Sequence, residues 1–77
     1  MIDRRVLRAS LQSPQAVWEL RGVMRALLSL DYDRDGLVAD LATFKEELRS
    51  EGRDLDIETI DDVILDLTGY CSPHMLL

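Results

Sequence analysis

The chain is predicted to be all-α, a small bundle of four helices spanning about 2–12, 14–30, 36–51 and 56–69 around a central second helix. Three observations predict it. Apolar residues recur at three- and four-residue steps in four stretches, no stretch alternates with period two, and the breaks fall at Pro14, Gly36, Gly52 and Gly69. Its 77 residues give room for one domain, 1–77, with residues 70–77 as a short C-terminal tail.

In the first segment Ile2, Val6, Leu7 and Leu11 make a short amphipathic helix, with Arg4, Arg5 and Arg8 expected on the face opposite Ile2 and Val6. Ser13 then offers an N-cap and Pro14 a favoured first helical residue. Along the second segment Ala16, Val17, Leu20, Val23, Met24, Leu27, Leu28 and Leu30 fill an arc wide enough for several neighbours, which places this helix at the centre. Trp18 falls on its polar side near Arg21 and Arg25. Two expectations follow for it: a core residue covered by the first helix, or an exposed anchor stacked on an arginine. Gly22, in mid-helix, costs about 1 kcal/mol against alanine and would permit a close helix approach.

The third segment carries Leu37, Leu41, Phe44 and Leu48, and Gly52 stands where a left-handed C-cap belongs. In the fourth, Asp56 is the expected N-cap, Ile57, Ile60, Val63, Ile64 and Leu67 form the apolar stripe, and Gly69 ends the helix with Pro73 beyond it.

Between the second and third segments lies "LDYDRDGLVADLATF", residues 30–44. Asp31, Asp33, Asp35 and Gly36 fall at positions 1, 3, 5 and 6 of the calcium loop of the EF-hand family, with Val38 at the apolar position 8, and the stretch resembles the first half of that loop. The resemblance implies calcium held by Asp31, Asp33 and Asp35. Residues 31–42 leave it incomplete, because Ala42 stands where a bidentate glutamate would close the site and Ala39 brings no side-chain oxygen to position 9. The residues themselves predict a turn, with Asp33 or Asp35 capping the next helix and Gly36 easing the bend. No cofactor is therefore expected, and Ca2+ is the metal this loop would take.

Charge is unevenly spread. Residues 1–30 hold five arginines against two acids, a net +3, whereas residues 31–77 hold thirteen acids against four bases, a net −9. Such halves either pair between molecules, as a head-to-tail or symmetric dimer, or neutralise each other within one chain. On the last helix Glu58, Asp62 and Asp66 stack at four-residue steps away from the apolar stripe, with Leu65 among them and Asp61 at the near edge. No lysine or arginine of that segment relieves them. An acidic ridge carrying an isolated leucine suits a basic protein partner; a solvated face that keeps the chain soluble is the plainer expectation.

The chemistry of catalysis is missing: the chain has no phosphate-cradling glycine loop, no G-x-S-x-G and no H-E-x-x-H. Cys71 and His74 form a C-x-x-H pair, two ligands short of a tetrahedral zinc site unless a second chain completes it. A lone cysteine points to a reducing, cytoplasmic setting, and no run nears the roughly 20 apolar residues that cross a bilayer. The leading expectation is a non-enzymatic interaction module, an adaptor, inhibitor or antitoxin-like protein. It would bind a basic protein partner through Glu58, Asp62, Leu65 and Asp66, with Trp18, Arg21 and Arg25 as further contact residues. The alternatives are a divalent-ion module and nucleic-acid binding through Arg4, Arg5, Arg8, Trp18, Arg21 and Arg25, which the acidic remainder disfavours.

Overall fold

Four helices follow one another in the computed structural model: α1 (Arg4–Leu11), α2 (Ala16–Ser29), α3 (Arg34–Ser50) and α4 (Asp54–Thr68). The structure describes residues 2–69 and 77, and no strand occurs among them. Cys71, Pro73 and His74 lie outside the described residues.

The helices form two hairpins set side by side. α1 packs on α2 and α3 on α4, and α2 joins the hairpins by packing on α4. Direction can be read from the contacts. Lys45 meets Asp61, and Arg34 Nη1 donates to the Leu67 carbonyl at 2.9 Å, so α3 and α4 are antiparallel. Pro14, Val17 and Trp18 border one cleft with Thr59, while Arg21 meets Asp66, so α2 and α4 run the same way. Arg4 reaches Asp40 and Glu47, and Arg8 reaches Glu51, so α1 lies along α3 in the same direction.

Inside, Leu7, Leu20, Met24, Leu41, Phe44, Leu48, Ile60, Val63 and Leu67 are fully buried. The α3 stripe of Leu37, Leu41, Phe44 and Leu48 is buried throughout, as its spacing predicts. α2 buries less than its wide arc suggests: Leu20 and Met24 are sealed, Val23, Leu27 and Leu28 are half-buried, and Leu30 is exposed. Leu77 packs against the core, and its amide donates to the Asp66 carbonyl at 3.1 Å.

Helix ends depart from expectation in instructive ways. Ser13 does not cap α2; its hydroxyl accepts from the Gln15 amide in the connecting turn, and the helix starts two residues after Pro14 with no side-chain cap. Asp56 likewise lies inside α4, which starts at Asp54 after Arg53, and Arg53 Nε donates to the Asp56 carboxylate. α3 is capped as the turn reading requires. The Gly36 amide donates to Asp33 Oδ2 at 3.1 Å, and Asp33 keeps extended backbone.

Two helices end in the same hydrogen-bonded device. After α3 the Arg53 amide donates to the Leu48 carbonyl and the Gly52 amide to that of Arg49, with Gly52 at φ +71°. After α2 the Tyr32 amide donates to Leu27 and the Asp31 amide to Leu28, and here the left-handed residue is Asp31, at φ +67°. Glycine is absent from the one place in this turn that favours it, since Gly36 sits in the first turn of α3.

Candidate functional site

The acids of α4 divide according to what packs beside them. Asp66 does not face outward as its four-residue step from Asp62 predicts. It is 5 % exposed, and Arg21, itself 4 % exposed, donates to its carboxylate in a buried ion pair. The reason is the parallel course of α2, which brings Arg21 across the second half of α4 and covers what the wheel leaves bare. Asp61 takes Lys45 of α3, and Asp56 takes Arg53.

Glu58 and Asp62 remain exposed, and no cation of the described residues pairs with them. Leu65 lies beside them, 43 % exposed, and Leu55, missed in the sequence reading, is 80 % exposed. Leu55, Glu58, Asp62 and Leu65 follow 3-4-3 spacing and so share one outer stripe, about 15 Å long from leucine to leucine. Only the observed start of α4 at Asp54 puts Leu55 on the helix.

Trp18 is not a core residue. It is 58 % exposed, and the Arg21 guanidinium lies 5.4 Å from the centre of its ring. α1 leaves it uncovered, because that helix ends at Leu11 and its buried residues, Leu7, Ser10 and Leu11, pack into the core. Trp18 thus shields the guanidinium that also holds Asp66, a chain of tryptophan, arginine and aspartate across the α2–α4 seam. Arg25 is exposed, one turn on.

Two of the first-helix arginines, Arg4 and Arg8, are turned toward the second hairpin, whereas Arg5 stays in solvent. Arg4 reaches Asp40 at 3.1 Å and Glu47 at 2.9 Å, and Arg8 takes both oxygens of Glu51 at 3.0 and 2.7 Å. Both guanidiniums lie over the Phe44 ring, at 5.2 and 5.5 Å. Burial works against the Arg4 charge, but hydrogen bonds to Asp40 and Glu47 outweigh it and raise its pKa. The hydrogen bond from Arg8 holds the Glu51 carboxyl below its ordinary value. Arg5 pairs with Asp3. Val6 stands exposed while Ile2 is buried, the reverse of an arginine face opposed to a Val6 face. Nucleic-acid binding through Arg4, Arg8 and Arg21 would have to break ion pairs that hold the hairpins together.

Asp31, Asp33 and Asp35 do not converge. Asp31 is committed to the left-handed turn, an oxygen of Asp33 to the Gly36 amide, and Asp35 lies exposed in the first turn of α3. Among the described residues no three His, Cys, Asp or Glu side chains are grouped to hold a metal. The Ile2 amide donates to Asp40 at the edge of a cleft of about 190 Å³ lined by Ile2, Tyr32, Asp33 and Leu37, below the ~300–1,000 Å³ typical of ligand pockets. No helix among the described residues is long and apolar enough to cross a membrane.

Comparison with protein families, with curated proteins and with solved structures finds no match to this chain.

Proposed function

We propose that the protein is a small interaction module, an adaptor, inhibitor or antitoxin-like protein, that binds a basic protein partner along the outer stripe of α4. One observation carries the reading. Every other acid of α4 from Asp56 to Asp66 has a cation of its own chain, whereas Glu58 and Asp62 have none among the described residues and stand between two exposed leucines. A partner presenting two apolar residues with a lysine or arginine between them would bury Leu55 and Leu65 and neutralise the pair of acids. The reading includes a non-catalytic role and a cytoplasmic setting. Asp66 drops out of the contact set, and with it Arg21, because both are occupied within the bundle.

The test is a charge reversal that leaves the core alone. Glu58→Lys with Asp62→Lys, both at exposed positions, is compared with the unaltered protein in affinity capture from its native cells. Loss of a specific partner, and weakening of the retained complex by salt, is the expected outcome. Capture of the same partners by both forms removes α4 from the interface. Substitution of Asp66 would be uninformative, since a lysine there would oppose the buried Arg21.

A further inference from the structure

A second unpartnered face lies on α2. Trp18, Glu19, Gly22, Arg25, Ala26 and Ser29 are all exposed, and their three- and four-residue steps make them one stripe. At its middle sits a glycine with no intramolecular task. A Cβ on Gly22 would meet no atom within 4 Å, its φ is not left-handed, and a glycine within a helix weakens it. The bulkiest exposed residue of the helix stands one turn before this gap, and a small one, Ala26, one turn after.

We infer that α2 pairs with α2 of a second copy of this chain, antiparallel, about a twofold axis at Gly22. That register makes three matches at once. Gly22 faces Gly22 where the helices come closest, Trp18 of each copy lies over Ala26 of the other, and Glu19 of each faces Arg25 of the other. Knob meets hole twice and acid meets base twice, as an isologous contact requires. Neither Glu19 nor Arg25 has an ion-pair partner among the described residues, so both charges are available. A second copy is the occupant this self-matching selects, since a foreign partner would need none of it. Small residues at the crossing permit the approach that a leucine or lysine at position 22 would prevent. The stripe is short beside the ~800 Å² per partner of a standard interface, so the dimer is a weak one. The face is on α2, and the inference stands whether or not α4 binds a partner.

Sedimentation equilibrium of the intact chain tests it, over about 10 µM to 1 mM, a range that brackets weak association. The apparent mass should climb from 8.8 kDa toward twice that value. Gly22→Leu, which has room in the monomer, should hold the mass at 8.8 kDa. Arg25→Glu sets acid against acid twice and should weaken the dimer about tenfold or more. Glu19→Arg combined with Arg25→Glu should restore it. Circular dichroism checks that each variant is helical. A chain that stays monomeric throughout, a dimer indifferent to Gly22→Leu and Arg25→Glu, or a charge swap that fails to restore association overturns the inference.

Discussion

Arg21 and Asp66 are a buried pair between the two hairpins, and they illustrate why a buried ion pair is costly to break singly. Each charge was taken out of water to make the contact, and the geometry compensates only while both are present. Arg21→Met leaves a carboxylate buried opposite a thioether and is expected to cost about 3–5 kcal/mol. That is a large part of the roughly 4–12 kcal/mol expected for a chain this size. Arg21→Met with Asp66→Leu should recover most of the loss, because the desolvation cost disappears with the charges. Urea denaturation of the two variants measures both. A single variant as stable as the parent would show that the pair contributes nothing net. Trp18 belongs to the same unit: its exposure looks like an invitation to a partner, but one side of it already covers a guanidinium.

At the level of the helix, most of the architecture was legible. Four segments were expected and four are present, in order, and the stripes of α3 and α4 point inward as their spacing requires. The glycines at 52 and 69 lie beyond helix ends at positive φ, as only a residue without a Cβ does easily. The misreadings were at starts, where caps compete. Ser13 and Asp56 each satisfied a rule of local preference and lost to neighbours that packing favoured, Ser13 bonding within its turn and Asp56 drawn to Arg53. The turn after α2 is where sequence and conformation disagree most, with Asp31 held left-handed at φ +67°. Asp31→Gly should relieve that strain and stabilise the protein by about 0.5–1 kcal/mol. A change of that size raises the melting temperature by roughly 2–8 °C in a domain of under 100 residues. An unchanged or lower melting temperature would mean that the aspartate side chain supports the turn in a way its backbone does not show.

For the whole molecule the governing fact is that three of the five arginines of residues 1–30 pair with acids of residues 31–77 within the chain. Arg4 with Asp40 and Glu47, Arg8 with Glu51, and Arg21 with Asp66 are all bridges between the first hairpin and the second. A dimer driven by the gross charge split is thereby deprived of Arg4, Arg8 and Arg21. The Arg8–Glu51 bridge also ties stability to pH. Glu51 titrates below its ordinary value of 4.5 when folded, so it contributes stability above that pH and loses it as pH falls through the lower folded value. The stability gap between the parent and Arg8→Gln should accordingly narrow from about pH 6 to about pH 3. A pH-independent remainder should persist, from the guanidinium resting on Phe44. Thermal melts across that range follow it, and a gap constant with pH would deny the Arg8–Glu51 bridge a role.

Number and order of the helices, and the inner faces of α3 and α4, could be read from the residues alone, because three- and four-residue periodicity and glycine punctuation act within a few residues along the chain. Which charges reach solvent could not. Asp62 and Asp66 look alike on a single helix, and they part company only because α2 runs parallel to α4 and delivers Arg21 to one of them. Partners separated by 45 residues leave no local pattern, and whether a charged side chain is spent or available is settled by the helix that happens to lie beside it.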